Sequence, residues 1–484
     1  MNLGLAEPVP VVSAQPRASA SEPRPFWPVM AWAVGGAFWW WVAAALSLVA
    51  SIKFHGPGFL ADVPWLTYGR VRVAATQAGW WGGVIPLALG AMLGWLAWAG
   101  RTRIAFGGLA VVGAKLWHLG VLVGVLGILS GDTTGHDGWG MPLYSVWVWG
   151  SGLLLLGISA LATLHRRQER GLEPAHWFLL AGLFWLAWVV STAWVLLGLQ
   201  PVRGVVQAVV DWWFLWNVQG VVGSLLGLGL LWGWVPVWTG RALYSRYYAM
   251  LTFFGFLVFT SWACVPLSAP VPAWLPVLGT VAAVLSIVPW LAAWLNWRGS
   301  TRGAGTRLWR EGSGRFAVLA FASFLAAAGG KLLLHVPATG SVLEFTWWVL
   351  AQQMWQVHGW LGLAAVAALY VWLREACGLT ASQRAVRWHF WLAGTGLWVG
   401  AAALAVTGVG QGLAWQDASL SNVEVLKRTL MGLRLSTVGE LLWWLGTWVF
   451  MGNLTVWVGR MMVAHWRRWR ALALAPVEAG EGLR

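Results

Sequence analysis

Charge is scarce in this chain. Asp, Glu, Lys and Arg make up 10% of its 484 residues, against roughly 25% in an ordinary soluble domain, so a soluble globular fold is excluded. Cysteine is nearly absent. Cys264 and Cys377 stand alone, which rules out a disulfide framework, a CxxC pair and the attachment motif of a c-type haem. Cys377 lies in a basic loop and reads as a reduced free thiol. Acidic residues number 16 against 31 Lys and Arg. The resulting excess of +15 is spread through short loops rather than gathered on one face, so it reports topology and not a nucleic-acid partner. An apolar core of a signal peptide is missing from residues 1–25, whose Pro, Ala and Ser read as a disordered tail. No internal repeat stands out, and GSTRGAGTR at 299–307 lacks the spacing of a phosphate-binding loop.

Apolar residues are what the chain has in abundance: 59% of the whole, with 45 tryptophans and a mean hydropathy of +0.67. Such a composition belongs to a polytopic membrane protein. Apolar runs fall at about 27–52, 76–99, 104–129, 143–164, 175–199, 205–238, 247–269, 271–297, 316–335, 345–373, 389–413 and 435–458. Each is long enough to cross a bilayer as a helix. The expected fold is therefore all-α, a membrane bundle of twelve transmembrane helices over 26–460, with a tail at 1–25 and a basic tail at 461–484. With the N-terminus inside, 22 of the 31 Lys and Arg fall in inside segments and seven outside, while Lys115 and Lys331 lie within spans. That asymmetry places both termini in the cytoplasm. Tryptophans suit helix ends at the headgroup level, but so many must also fill the interior. Gly223 and Gly227 form a GxxxG, a pattern of close helix packing.

A few ionisable groups sit inside spans, where a charge costs about 2.5–3.5 kcal/mol on insertion scales. His358 lies mid-span in AQQMWQVHGWLG, residues 351–362, flanked by Gly359 and Gly362. It reads either as an axial haem ligand or as a core histidine bonded to a neighbouring helix. Lys115 with His118, and Lys331 with His335, are spaced to share a helical face and are expected to face the interior or a wet cavity. Lys331 and His335 also lie near enough to the outer end to snorkel. Glu440 reads as interfacial. His55, His136, His165, His176, His389 and His465 fall at helix ends or in loops and carry little information.

The order of motifs resembles subunit I of cbb3-type cytochrome c oxidases, the C-type haem-copper oxidases. WHFWLAGTGLWVG from Trp388 and VTGVGQGLAW to Trp415 are similar to that family's eleventh helix. TYGRVR at 67–72, LEPAHWFLLAGL at 172–183, VQAVVDWWFLWNVQG at 206–220 and GRALYSRYYAM at 240–250 fall in the same register. The resemblance implies a redox centre of six histidines, because imidazole binds haem iron and copper. By alignment most are replaced here. The second-helix ligand falls at Ala75, the sixth-helix copper ligand at Trp216, and the seventh-helix pair at Pro266 and Leu267. The tyrosine position falls at Thr260, and the tenth-helix His-x-His reads Gln356-Val357-His358. A ninth-helix glutamate falls near Gly330 and Lys331.

The resemblance thus implies a subunit I scaffold in a bacterial cytoplasmic membrane with a degenerate active site. It would be a non-catalytic scaffold or electron-transfer subunit of a respiratory complex, with no copper. Membrane-anchored c-type cytochromes are the implied partners, with a catalytic subunit I paralogue as a further one. An alternative keeps one b-type haem on His358, with His118 as a second ligand. A divergent terminal oxidase and a proton path through Lys115, Lys331 and their histidines also stay open. A fluorescent protein fused after Arg484 is expected to fluoresce and a phosphatase fused there to stay inactive; the reverse result would overturn the assigned orientation.

Overall fold

The computed structural model describes residues 26–473; residues 1–25 and 474–484, holding the N-terminal tail and part of the C-terminal tail, lie outside the described residues. Twelve helical segments follow one another. They are α1 Trp27–His55, α2 Tyr68–Ala99, α3 Gly107–Ser130, α4 Leu143–His165, α5 Pro174–Leu199, α6 Val205–Thr239, α7 Arg246–Val258, α8 Trp274–Thr301, α9 Gly312–His335, α10 Trp347–Cys377, α11 Gln383–Trp415 and α12 Asn422–Ala473. All but α7 are long and apolar enough to cross a membrane. α12 continues beyond residue 460, so the expected tail at 461–484 begins as helix.

Three helices form the interior. The most apolar windows of α2, α6 and α10 are 89%, 89% and 94% buried, against 33–56% for the other eight. The rest surround them: α1 lies between α2 and α12, α11 packs along α12, and α5 along α6. Small residues allow these approaches. A Cβ on Gly439 of α12 would lie 2.4 Å from the backbone nitrogen of Gly400 on α11, and one on Gly227 would lie 2.4 Å from the Trp360 ring. The GxxxG of α6 therefore does pack a neighbouring helix. Trp40, Trp81, Trp95, Trp117, Trp234, Trp360 and Trp443 are fully buried, filling the interior as close packing requires.

The three inner helices share a departure from regular geometry. Each widens into i→i+5 turns near its middle, at Ala78–Val84, Asn217–Val222 and Trp355–Gly362. Such turns push one residue out of register and occur mostly at functional sites. Here they meet one another at the centre of the bundle.

The seventh span differs from the expectation. In place of a helix over 247–269, α7 stops at Val258 and gives way to a tight turn, Thr260–Trp262, and irregular chain up to Trp274. At 1.5 Å per residue its 13 residues cover about 20 Å, short of the roughly 30 Å apolar core. Pro266, Pro270 and Pro272 deny this stretch the donors a helix needs. The unwound chain survives because other helices satisfy it: Thr260, Ser261, Ala263, Cys264 and Val265 are buried, and their neighbours supply the missing bonds. Trp216 Nε1 donates to the Thr260 carbonyl at 2.6 Å. Asn217 Nδ2 donates to the Ser261 carbonyl at 3.1 Å, and the Glu344 carboxylate accepts from the Leu267 and Ser268 amides at 2.8 and 3.2 Å. Replacing Asn217 by Leu strands the Ser261 carbonyl and the Trp185 indole that donates to Asn217 Oδ1. The expected cost is about 1–3 kcal/mol, read as a lower midpoint of thermal unfolding in detergent; an unchanged midpoint would refute this role.

Candidate functional site

Two sites emerge where the inner helices meet. The first is a small cavity of about 40 Å³ bounded by α1, α2, α6, α10, α11 and α12, about the room of a few waters. His358 lies in its wall on the widened turn of α10, with Ala75 and Arg72 from α2 and Ser47 from α1. Trp80, Gln219, Gln353, Trp443 and Glu440 also line it. The alignment thus finds Ala75 and His358, the two expected axial positions, in one cavity.

His358 is enclosed by tryptophan. Trp443 lies on its ring at a centroid distance of 4.4 Å, and the Trp40 indole Nε1 donates to His358 Nδ1 at 2.9 Å. An indole nitrogen only donates. Nδ1 must therefore hold its lone pair, and the neutral ring carries its proton on Nε2. On the other side the ring edge lies against Gly79: a Cβ there would sit 2.9 Å from His358 Cε1. This is a close approach that only glycine permits.

Glu440, read from the sequence as interfacial, is buried in the cavity wall, and its Oε2 has no hydrogen-bond partner among the described residues. Its place on α12 turns it inward beside Ser436, a register that needs the packing of α12 on α1 to define. Arg72 also lines the cavity, half-buried and without an ion pair among the described residues. Sequence reasoning passed over Arg72, Trp80, Trp443 and Gln353. TYGRVR pointed to the stretch, but its role needed the neighbouring helices.

The second site gathers the positions expected for copper and its surroundings. Trp216 donates to the carbonyl of Thr260, the tyrosine position, while the Lys331 ammonium lies 4.2 Å from the centre of the Trp216 ring. That cation–π contact is worth about 0.5–2 kcal/mol depending on exposure. Pro266 and Leu267 fall in the unwound chain after α7, not on a helix. Gln356 Nε2 donates to the Gln219 carbonyl at 2.9 Å, within the widened turn of α6. No group of three or more His, Cys, Asp or Glu side chains suited to a metal occurs among the described residues. His335 closes α9, its Nδ1 bonded to the Lys331 carbonyl at 3.1 Å. Lys331 therefore points inward to Trp216 rather than snorkelling outward.

The remaining sequence candidates stand apart. His118 packs on Gly35 of α1, where a Cβ would lie 2.1 Å from its Nε2. Trp40, which holds His358, is five residues further along α1, about 140° around the helix. His118 and His358 thus approach α1 from different sides and cannot ligate a common atom. Lys115 is exposed on the outer face of α3 among Val112, Leu119 and Leu122, not turned inward as its spacing with His118 suggested. The lysines and histidines form no continuous file. His389, which the sequence left uninformative, is buried: its Nδ1 is hydrogen-bonded to the Tyr370 hydroxyl at 2.8 Å, and that hydroxyl accepts from Asn453 Nδ2 at 3.1 Å. Substituting Gly79 by Val is expected to displace the His358 ring at a cost of about 1–3 kcal/mol. Retained thermal stability in that variant would contradict the packing described.

Comparison with known proteins gives a consistent result. The family model for cytochrome c and quinol oxidase polypeptide I matches residues 28–442. A cytochrome c oxidase subunit 1 homolog of the bacteroid from Bradyrhizobium diazoefficiens is 26% identical over 415 residues, covering 78% of this chain and 72% of its own. A cbb3-type cytochrome c oxidase subunit, CcoN1 of Stutzerimonas stutzeri, is 23% identical over 449 residues, covering 86% and 91%. A heme-copper terminal oxidase dimer determined by cryo-electron microscopy superposes with a TM-score of 0.67 at 13% identity, over 89% of this chain and 84% of that one. At such identity the superposition speaks for the fold alone.

Proposed function

The chain belongs to the cytochrome c and quinol oxidase polypeptide I family, as a multi-pass, cbb3-type subunit I-like membrane protein, and from that premise we propose that it is a non-catalytic subunit of a respiratory complex. It supplies the subunit I scaffold and a surface for membrane-anchored c-type cytochromes, without itself reducing dioxygen. Both termini face the cytoplasm, and a ligand-complete subunit I is a candidate neighbour in the same assembly.

One observation carries this reading: the place expected for copper is packed with protein. Trp216 occupies the sixth-helix position and bonds to Thr260, and Lys331 puts a fixed positive charge on its ring. Copper sites of this kind need imidazole donors, and none of α6, α7 or the chain up to Trp274 contains a histidine. Indole has no free lone pair to offer a metal, and Pro266 and Leu267 offer none. An ammonium group so near would also repel a metal cation. The residues present therefore do not fit copper. A high-spin haem fares no better, because Gln356 stands at its ligand position and is bonded to the backbone of the neighbouring helix.

The low-spin haem of the family needs two axial donors. Ala75 supplies none, and His358 presents a protonated Nε2 while Nδ1 is engaged by Trp40. A ligand histidine ordinarily donates its second nitrogen to an acceptor; here that nitrogen accepts. Iron on Nε2 would leave the ring as an imidazolate in an apolar wall. The donors of the cavity do not fit an axially ligated haem. The electron-transfer alternative is the weaker reading for that reason.

The protein purified with its native partners is expected to contain less than stoichiometric copper and no high-spin haem attributable to this polypeptide. It should consume no dioxygen when a catalytic subunit is absent. Stoichiometric copper, a carbon monoxide-reactive haem, or dioxygen uptake traced to this chain would overturn the proposal.

A further inference from the structure

Lys115 carries a charge that nothing else in the fold meets. It lies exposed on the outer face of α3, with no ion pair, hydrogen bond or ring contact among the described residues. At 1.5 Å per residue it stands about 12 Å from the Gly107 end of the helix and about 22 Å from the Ser130 end. Arg166 lies over the Phe106 ring at 5.1 Å and marks the headgroup level beside the Gly107 end. The Lys115 side chain leans towards that end, but its four-carbon stem reaches only about one helical turn. The ammonium therefore stops inside the hydrocarbon, where a charge is costly without a partner.

Its surroundings indicate what that partner is. Val112, Leu119, Leu122 and Leu126 are exposed and share this face of α3 with Lys115. They form one stripe at spacings of three and four residues, the spacing by which one helix packs along another. Apolar residues alone need only lipid, whose tails are as apolar as leucine. The lysine needs an opposite charge at its own depth. A phospholipid phosphate stays at the headgroup level, beyond its reach. A second copy of this chain does not supply the charge either. Among the described residues, the helices long enough to cross hold only Asp211, Glu375, Glu424 and Glu440 as acids. Glu375 and Glu424 lie within a turn of helix ends, and Glu440 is buried. Asp211 is half-buried and faces His136 at 3.8 Å. None presents an unpaired carboxylate to the lipid at the depth of Lys115.

We infer that the outer face of α3 docks a membrane-spanning helix of another polypeptide, one that carries an Asp or Glu level with Lys115. An ion pair formed there shields two charges from the hydrocarbon, each of which is costly alone. The apolar stripe supplies the packing. The charge pair selects the partner and fixes its register, as a polar residue does within a helix seam. The inference rests on the reading that this chain works within a multi-subunit complex, and is independent of whether the chain is catalytic.

The test places a photo-crosslinking amino acid at Leu119, one turn from Lys115, in the full chain in its native membrane with its partners. Mass spectrometry identifies the product. A crosslink to another polypeptide with Asp or Glu inside its crossing segment is expected. Lys115→Glu should lower the yield about tenfold, and replacing the partner's acid by Lys should restore it to the Lys115→Glu chain. Lys115 is exposed, so the variant is expected to fold, which its unfolding midpoint checks. Lys115→Gln, which removes the charge without reversing it, is read if Lys115→Glu does not fold. A crosslink to phospholipid alone, to a second copy of this chain, or to a polypeptide without a carboxylate in its crossing segment would overturn the inference. No crosslink at all, or a yield unchanged in the folded Lys115 variant, would overturn it as well. Each of these results would leave the non-catalytic reading standing, whereas stoichiometric copper with dioxygen uptake would remove that reading and not this one.

Discussion

Within a bilayer a backbone amide or carbonyl must find its partner inside the protein, and the central architecture follows from where this chain leaves such groups unpaired. α7 unwinds after Val258, before it has crossed. The stretch that follows is tolerable because Trp216, Asn217 and Glu344 reach it from α6 and from the approach to α10. In this fold those side chains do two things at once. They satisfy the unwound backbone, and they stand where the family's ligands and their surroundings would be. The break in α7 and the place of the indole at 216 are thus one arrangement, since the unwound chain takes its hydrogen bond from that indole.

Tryptophan has a second role at His358. A histidine inside a membrane protein needs a defined partner, and the nature of the partner fixes what the ring can do. An acceptor on Nδ1 would prepare Nε2 as a metal ligand. The indole of Trp40 is a donor, and it converts the same residue into a hydrogen-bond donor. A residue on α1 thereby decides the chemistry of a residue on α10. The widened turns of α2, α6 and α10 surround this arrangement.

Much of this was legible in the chain. Apolar runs located eleven of the helices, because length and hydropathy decide what can span a bilayer, although α2, α11 and α12 extend well beyond their runs. The motif order gave the family, and the alignment named positions that prove to be neighbours: Ala75 with His358 across one cavity, Trp216 with Thr260 and Lys331. The seventh span misled because its hydropathy continues past Val258, while the prolines that break it were read as a join between helices. Lys115 misled for another reason. Its spacing with His118 places both near one face of a helix but does not say which face turns outward.

What the sequence determined by itself was membership, the run of apolar segments and the absence of histidine from the sixth and seventh segments, since these depend on residue type and order. Tertiary structure decided the protonation site of His358, the inward turn of Glu440, the outward turn of Lys115 and the separation of His118 from His358. Each of these depends on a partner distant in the chain, Trp40 being 318 residues from His358. Helical periodicity carries no information about which neighbour a face will meet, and only the packing of the helices supplies it.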